Sequence, residues 1–239
     1  MKSIAVMQPY TFPYFGYFQL IEAVDTFVFF DDVQYIRRGY INRNSILNQG
    51  KAYSFTIPVK KAPQKTNINQ VYINTENFQS WKSNFFKTIK NCYNQAPFYE
   101  NTLKLLEKIL NQNHTKIDSL AKRSIKKVAN YLEIETNFIN SSDLSYERTG
   151  TGQEKVISIC KLLKAADYVN PPGGKALYDT DTFAKNGLQL NFIEPLLPDY
   201  KQFQQPWVSN LSIIDQLMFM SKEEIQNNLT KNNLEIPTS

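Results

Sequence analysis

The sequence predicts an α/β fold: a mostly parallel sheet with flanking helices and an inserted helical subdomain. Three observations carry this expectation. Residues 3–30 read as strand, loop, helix and strand. Residues 78–132 hold three amphipathic helices in succession. From residue 136 onward short apolar runs alternate with a helix again.

Ser3 to Gln8 is an apolar run closed by Pro9, Tyr14 to Ala23 is a helix candidate, and Thr26 to Phe30 is an apolar, aromatic and β-branched run. Such a βαβ opening favours a parallel sheet, whose ligands bind at the carboxyl ends of the strands. Residues 8–13 and 31–44 both begin at such ends. Ala52 to Val59 alternates as a strand, with Gln70 to Ile73 as its expected partner and Lys60-Lys61-Ala62-Pro63-Gln64-Lys65 as the connecting loop. Phe78, Trp81, Phe85, Ile89, Cys92 and Tyr93 then share one helical face. Leu103, Leu106 and Leu110 mark a second helix, and Leu120, Ser124, Ile125, Val128 and Leu132 a third, with Gln95-Ala96-Pro97 breaking the first pair. The sheet resumes at Thr136 to Ile139, followed by a helix at Glu154 to Leu163 and strands at Asp167 to Asn170 and Leu188 to Ile193. Pro195 to Ser212 is loop-rich. No linker or repeat divides the chain, so residues 1–239 are expected to form a single domain with a helical subdomain at about 78–133.

Composition removes several function classes. No run approaches the ~18 to 20 apolar residues of a membrane span, and the opening Met1 to Met7 reaches Gln8-Pro9 too soon for a signal peptide; the expected location is the cytoplasm. Cys92 and Cys160 occupy apolar helix positions and read as core thiols rather than a disulfide. With His114 the single histidine, the sequence offers no His and Cys set for zinc, no Ser/His/Asp triad and no other predicted metal site. A net charge of +5 and a pI near 9.0 suit nucleic acid, anionic lipid or a small phosphorylated substrate. The lysines recur in separate groups and the aromatics crowd the first third, a distribution that fits a pocket with several cationic contacts better than a nucleic-acid stripe.

Two constellations carry candidate chemistry. In Gln8-Pro9-Tyr10-Thr11-Phe12-Pro13-Tyr14-Phe15-Gly16-Tyr17-Phe18, two prolines stiffen a strand-to-helix loop and Gly16 permits close backbone approach at a helix start, where an anion can sit. Gln8, Tyr10, Tyr14 and Tyr17 are its candidate contacts, while Phe12, Phe15 and Phe18 read as core. The second, Asp31 to Asn44, packs two carboxylates (Asp31, Asp32), three guanidiniums (Arg37, Arg38, Arg43) and polar Gln34, Asn42 and Asn44 into fourteen residues. Guanidiniums suit bidentate binding of phosphate or carboxylate, and an aspartate at a strand end can orient or deprotonate an amine; the structural alternative is an ion-pair network holding a loop. Lys60, Lys61 and Lys65 flank a proline loop able to close over phosphates, though lysine clusters are often merely solvated. Gly173, Gly174 and Lys175 follow a predicted strand as a candidate phosphate nest or a plain turn.

Met7-Gln8-Pro9-Tyr10, Phe12-Pro13-Tyr14, Gly16-Tyr17-Phe18, Asp31-Asp32-Val33-Gln34-Tyr35, Arg38-Gly39 and Asn42-Arg43-Asn44 together resemble the motif of the WbqC-like proteins. The likeness continues through Pro58-Val59-Lys60-Lys61, Gln64-Lys65-Thr66, Gly173-Gly174-Lys175, Tyr178-Asp179 and Ser212-Ile213-Ile214-Asp215, and departs from the family pattern at Asn170-Pro171-Pro172. The resemblance implies a role in bacterial surface polysaccharide assembly, that is, O-antigen and lipopolysaccharide biosynthesis, with glycine transfer to an amino sugar as the activity.

The leading expectation is therefore a transferase or ligase that forms an amide on a nucleotide-linked amino sugar. Its second substrate would be an amino acid or a charged acyl carrier. Asp31 or Asp32 would position or deprotonate the amine, and Arg37, Arg38 and Arg43 would grip the diphosphate or the donor carboxylate. A non-catalytic sugar-nucleotide-binding module is the first alternative. A nucleotidylyltransferase-like enzyme is the second, because Phe12 to Tyr17 is similar in layout to the nucleotide loop of adenylyl-transferring enzymes. Tyr14 and Tyr17 stand where that loop carries histidines, and a phenol of pKa ~10 does not serve a leaving pyrophosphate as an imidazolium does. The cofactor stays open, with ATP and Mg²⁺ as one option.

Overall fold

A computed structural model describes residues 2–204 and 206–235. Met1, Gln205 and residues 236–239, which belong to the expected 1–239 domain and in part to the loop-rich tail, lie outside the described residues.

Six strands form the main sheet: β1 (Ser3–Met7), β2 (Thr26–Phe29), β5 (Asn137–Asn140), β6 (Asp167–Asn170), β7 (Gln189–Pro195) and β8 (Asn232–Glu235), in the spatial order β5-β2-β1-β6-β7-β8. The first five are parallel, and β8 runs antiparallel to β7. A parallel sheet is covered on both faces, so its central strands are apolar throughout. Ile4 and Val6 of β1 face the cluster built from α5 (Gly152–Leu162) and α6 (Thr180–Lys185). Ala5 faces the larger cluster, which takes in α1 (Phe15–Glu22), α4 (Ile117–Tyr131) and the last two helices, α7 (Ile213–Phe219) and α8 (Lys222–Leu229). Phe15 through Ile21 of α1 are all buried, as expected of a helix enclosed on every side. Among the described residues no helix is long and apolar enough to cross a membrane.

Between β2 and β5 the chain inserts a two-stranded hairpin, β3 (Arg43–Asn48) and β4 (Lys51–Thr56), and then α2 (Thr75–Tyr93), α3 (Tyr99–Leu110) and α4. The partner of β4 corrects the sequence expectation. It pairs with β3, whereas the 70–73 segment makes only isolated bridges, Val59 with Ile73 and Tyr72 with Lys116. Gln49 and Gly50 both have positive φ, 49° and 71°, the two-residue turn whose twist suits a hairpin. His114, within a polar stretch of sequence, is buried and its Nε2 lies 2.8 Å from the Ile109 carbonyl. Cys160 is buried and Cys92 half-buried, both as free thiols.

The chain runs from β1 outward to β2 and β5, then returns to place β6 on the other side of β1. The sequence order therefore reverses between β1 and β6, and the carboxyl ends on either side of that reversal border the crevice where open α/β sheets bind ligands.

Candidate functional site

The loop after β1 is held in a conformation that its residues do not adopt unaided. Phe12 has φ 45°, the left-handed region that costs a non-glycine residue roughly 1–2 kcal/mol. Three distant elements hold it there. Ser124 Oγ of α4 accepts from its N–H at 3.0 Å, while Asn44 Nδ2 of β3 and Ser212 Oγ, which caps α7, both donate to its carbonyl at 2.7 Å. Asn44 is thereby placed as a clamp on this loop. The Tyr10 ring lies 5.8 Å from that of Tyr17 and 5.9 Å from that of Tyr40. Burial raises the phenols of Tyr10, Tyr14 and Tyr17 above their ordinary pKa, most of all for Tyr17. The Tyr17 hydroxyl donates to the Gln8 carbonyl at 2.8 Å, which leaves Tyr17 inside the core. A Cβ on Gly16 would lie 2.6 Å from the Tyr14 ring and 2.7 Å from Pro195, so that glycine serves packing against the end of β7.

Tyr40 joins this aromatic cluster to a cationic pocket. Its carbonyl accepts from the Thr11 N–H at 3.3 Å, and the Ile41 carbonyl from the Thr11 hydroxyl at 2.6 Å. Beside it, Arg37, Arg38, Arg43, Lys60 and Lys61, with Tyr35, Asn42 and Ala62, line a cavity of about 250 Å³. Among the described residues no carboxylate lines it. Its frame is built by hydrogen bonds: Tyr35 donates to Asn42 Oδ1 at 2.7 Å, and Asn42 Nδ2 to the Ile57 carbonyl at 2.8 Å. Arg37 donates to the Ala62 carbonyl at 2.5 Å and Gln34 to the Gln64 carbonyl at 2.9 Å, which fixes the lysine loop. Arg43 donates to the carbonyl of Arg38 at 2.6 Å, and Arg38 has φ 63°. Lys65 lies on the same loop but outside the cavity lining.

Asp31 and Asp32 turn the other way, toward α4 and the end of β5. Ser141 Oγ stands 3.0 Å from Asp31 Oδ1 and 2.5 Å from Asp32 Oδ1, so its single proton is shared between two carboxylates. Asp31, 1% exposed, also accepts from Lys122 Nζ at 2.5 Å and from the N–H and hydroxyl of Ser142 at 2.9 and 2.8 Å. Burial pulls its pKa upward, but Lys122 and Ser142 outweigh burial and leave it below the ordinary carboxylate value. Asp32 accepts from the Tyr146 hydroxyl and from Arg148 Nε, both at 2.9 Å, and the Arg148 guanidinium stacks over the Tyr146 ring at 4.6 Å. Both carboxylates are thus engaged within the fold, although the Arg148 side chain is 46% exposed.

Gly173, Gly174 and Lys175 lie at the carboxyl end of β6 in a tight turn. The N–H of Gly174 donates to Pro171 at 3.0 Å and that of Lys175 to Pro172 at 3.0 Å, so two of the N–H groups a phosphate nest would use are spent within the turn. Gly174 is packed against the Asn170 amide, which leaves no room for a side chain.

The candidate residues thus separate into a tyrosine cluster joined to a cationic pocket, a buried carboxylate pair, and the β6 turn. Sequence reasoning did not name Lys122, Ser141, Ser142, Tyr146 and Arg148 around the aspartates. Ser141 and Ser142 follow directly on a predicted strand, where the carboxyl-end rule would have found them. Lys122 lies one helical turn from Asp118 on α4 and carried no signal of its own.

Comparisons with known proteins agree with the motif. An uncharacterised protein of Mycobacterium tuberculosis, Rv1507c, is 28% identical over 226 residues, covering 93% of this chain and 96% of its own length. No solved structure matches the chain. The WbqC-like protein family matches residues 8–227, from the loop after β1 into α8, and the chain belongs to that family.

Proposed function

We propose that this protein is an enzyme that forms an amide on a nucleotide-linked amino sugar in the assembly of a bacterial surface polysaccharide. The observation that supports this most is the cationic cavity: three guanidiniums and two ammoniums converge on about 250 Å³ beside an exposed tyrosine, Tyr40. That charge suits a diphosphate, and the neighbouring rings offer a stacking surface for a base. The aminoacyl donor is an amino acid with ATP and Mg²⁺, or a charged carrier. In this reading Asp32 takes the proton from the sugar ammonium, and the freed amine attacks the carbonyl of the activated donor and breaks its acyl bond. The group expelled is AMP from an acyl-adenylate, pyrophosphate having left when ATP activated the amino acid, or the hydroxyl or thiol of the carrier. Asp31 acts as a positioning residue through Ser141, which it shares with Asp32. For the amine to reach Asp32, the exposed Arg148 must swing aside.

A second reading is favoured by one specific observation: every acceptor position used on Asp31 and Asp32 faces a donor of the fold itself. A binding module for nucleotide-linked sugars would keep the cationic cavity and need no free carboxylate. The nucleotidylyltransferase-like reading is weakened by Tyr17, whose buried hydroxyl is committed to the Gln8 carbonyl.

The test is a thermal-shift screen against nucleotide-linked amino sugars, with and without glycine, ATP and Mg²⁺, followed by mass spectrometry of the stabilising mixtures. Gain of one aminoacyl mass on the sugar nucleotide, abolished in Asp32→Asn, supports the enzyme. Stabilisation without any mass change, retained in Asp32→Asn, supports the module. Stabilisation by polynucleotide alone overturns both.

A further inference from the structure

A second cavity lies on the other flank of Asp31, between α4 and the end of β5, and the reaction proposed above does not involve it. Its volume is about 580 Å³, and its lining includes Asp118, Lys122, Arg123, Lys126, Lys127 and Asn140. Four cations therefore face one carboxylate. Lys122 is committed to Asp31 and Asp118, at 2.5 and 2.9 Å. Lys126 is not: its ammonium lies over the rings of Phe29 and Phe138, at 5.6 and 5.8 Å from their centroids. Burial and the nearby Lys122 both lower its pKa.

Three buried polar atoms on this lining have no hydrogen-bond partner among the described residues: Asp118 Oδ1, Asn140 Oδ1 and Arg123 Nε. Asp118 is only 6% exposed. Its other oxygen is used by Lys122, the Asn140 amide nitrogen by Asp143 at 2.8 Å, and the Arg123 Nη2 by the Lys108 carbonyl at 3.3 Å. Buried polar groups normally find partners. A ligand completing this set must supply an anion to Arg123 and Lys126, and hydrogen-bond donors to Asp118 and Asn140. A bare anion fails the second requirement, because it would meet the free Asp118 oxygen in repulsion. The excess of cations favours a dianion over a single carboxylate.

We infer that the cavity between α4 and the end of β5 is a second binding site, which takes a phosphate monoester bearing hydroxyl groups, such as a sugar monophosphate. The phosphate would lie on Arg123 and Lys126, and the hydroxyls on Asp118 Oδ1 and Asn140 Oδ1.

Amide NMR spectra of the full chain, titrated separately with glucose 6-phosphate, inorganic phosphate and glucose, test this. The expected result is saturable shifts at residues 118–127 and at Asn140 with glucose 6-phosphate, weaker binding of inorganic phosphate, and about a tenfold loss of affinity in Lys126→Gln. Lys126 is an exposed position with no hydrogen bond or ion pair to lose among the described residues, and the amide spectrum of the variant away from the cavity should stay that of the wild type. Shifts confined to 37–43 and 59–62, equal affinity for inorganic phosphate, no saturable shift, or an unchanged Lys126→Gln would each overturn the inference.

Discussion

Lys122 Nζ of α4 lies 2.5 Å from Asp31 Oδ2 at the end of β2, and this ion pair fastens the inserted helices to the main sheet. Asp31 is 1% exposed, so Lys122→Met would strand a buried carboxylate at a cost of about 3 kcal/mol in urea unfolding at neutral pH. The pKa of Asp31 is depressed in the folded state. Its contribution is therefore present above the ordinary carboxylate value and is lost as pH falls through the folded value. The wild type should lose stability on acidification more steeply than Lys122→Met. Parallel pH curves for the two would show that Lys122 does not hold Asp31 ionised.

Tyr93 of α2 provides a second tie. Its hydroxyl donates to Asp215 Oδ1 at 2.7 Å and accepts from the Leu47 N–H at 2.7 Å, so it joins the hairpin to α7. Tyr200 and Gln202 donate to the other oxygen of Asp215, at 2.6 and 2.8 Å. Burial nonetheless raises the pKa of Asp215, and a raised carboxyl pKa favours the fold least once pH exceeds the folded value. Tyr93→Phe, by leaving the Leu47 amide and Asp215 each short of a partner, should cost roughly 1–3 kcal/mol. The cost should shrink on acidification, when Asp215 is neutral, and hydrogen exchange at the Leu47 amide should accelerate. An unchanged Leu47 rate would refute this tie.

Arg38 separates binding from folding. It lines the cationic cavity with φ 63°, and what it gives to the frame is its backbone carbonyl. Arg38→Gly keeps that carbonyl and relieves the left-handed strain, while it also loosens the unfolded chain. Its melting temperature should match or slightly exceed the wild type, with affinity for a nucleoside diphosphate sugar reduced about tenfold. A clear fall in melting temperature would mean that the guanidinium itself supports the loop.

Gly16→Ala tests packing. The added methyl meets the Tyr14 ring and Pro195 at 2.6 and 2.7 Å, and overpacking of this kind typically costs about 1–3 kcal/mol. Pro195→Gly in the same chain, which removes the Cβ that the new methyl meets, should restore part of that loss. Failure of the second change to help would place the strain at Tyr14 alone.

The sheet was legible in the sequence because parallel strands buried on both faces are nearly unbroken apolar runs, as in Ile4-Ala5-Val6 and Phe27-Val28-Phe29. The inserted helices were legible from their single apolar faces. The hairpin was not: β3 carries Arg43, Asn44 and Ser45, residues whose polarity drew attention as chemistry and hid a strand register. The Asn48-Gln49-Gly50 turn was the overlooked signal. Within the site, Arg37, Arg38 and Arg43 stood out by their density along the chain, and Lys60 and Lys61 as a separate lysine loop; the fold brings the two groups onto one cavity. The partners of Asp31 did not, because Lys122 and Ser141 are about ninety and one hundred and ten residues away, and only the β2–β5 pairing and the seat of α4 bring them close. Asn44, a candidate ligand contact from the sequence, donates its amide to the Phe12 carbonyl and clamps it, a role that its place in the chain did not suggest.

That clamp has a consequence for the order in which the molecule assembles. The peptide groups on either side of Phe12 are held by Asn44, Ser124 and Ser212, separated from it by 32, 112 and 200 residues. No local fragment contains all three, so the loop can take its final shape only after hairpin, inserted helices and C-terminal helices have docked. Long-range closure of this kind comes late and slowly. The Phe12 amide should accordingly exchange with solvent only through global opening, which gives the tyrosine-lined loop the protection of a core strand.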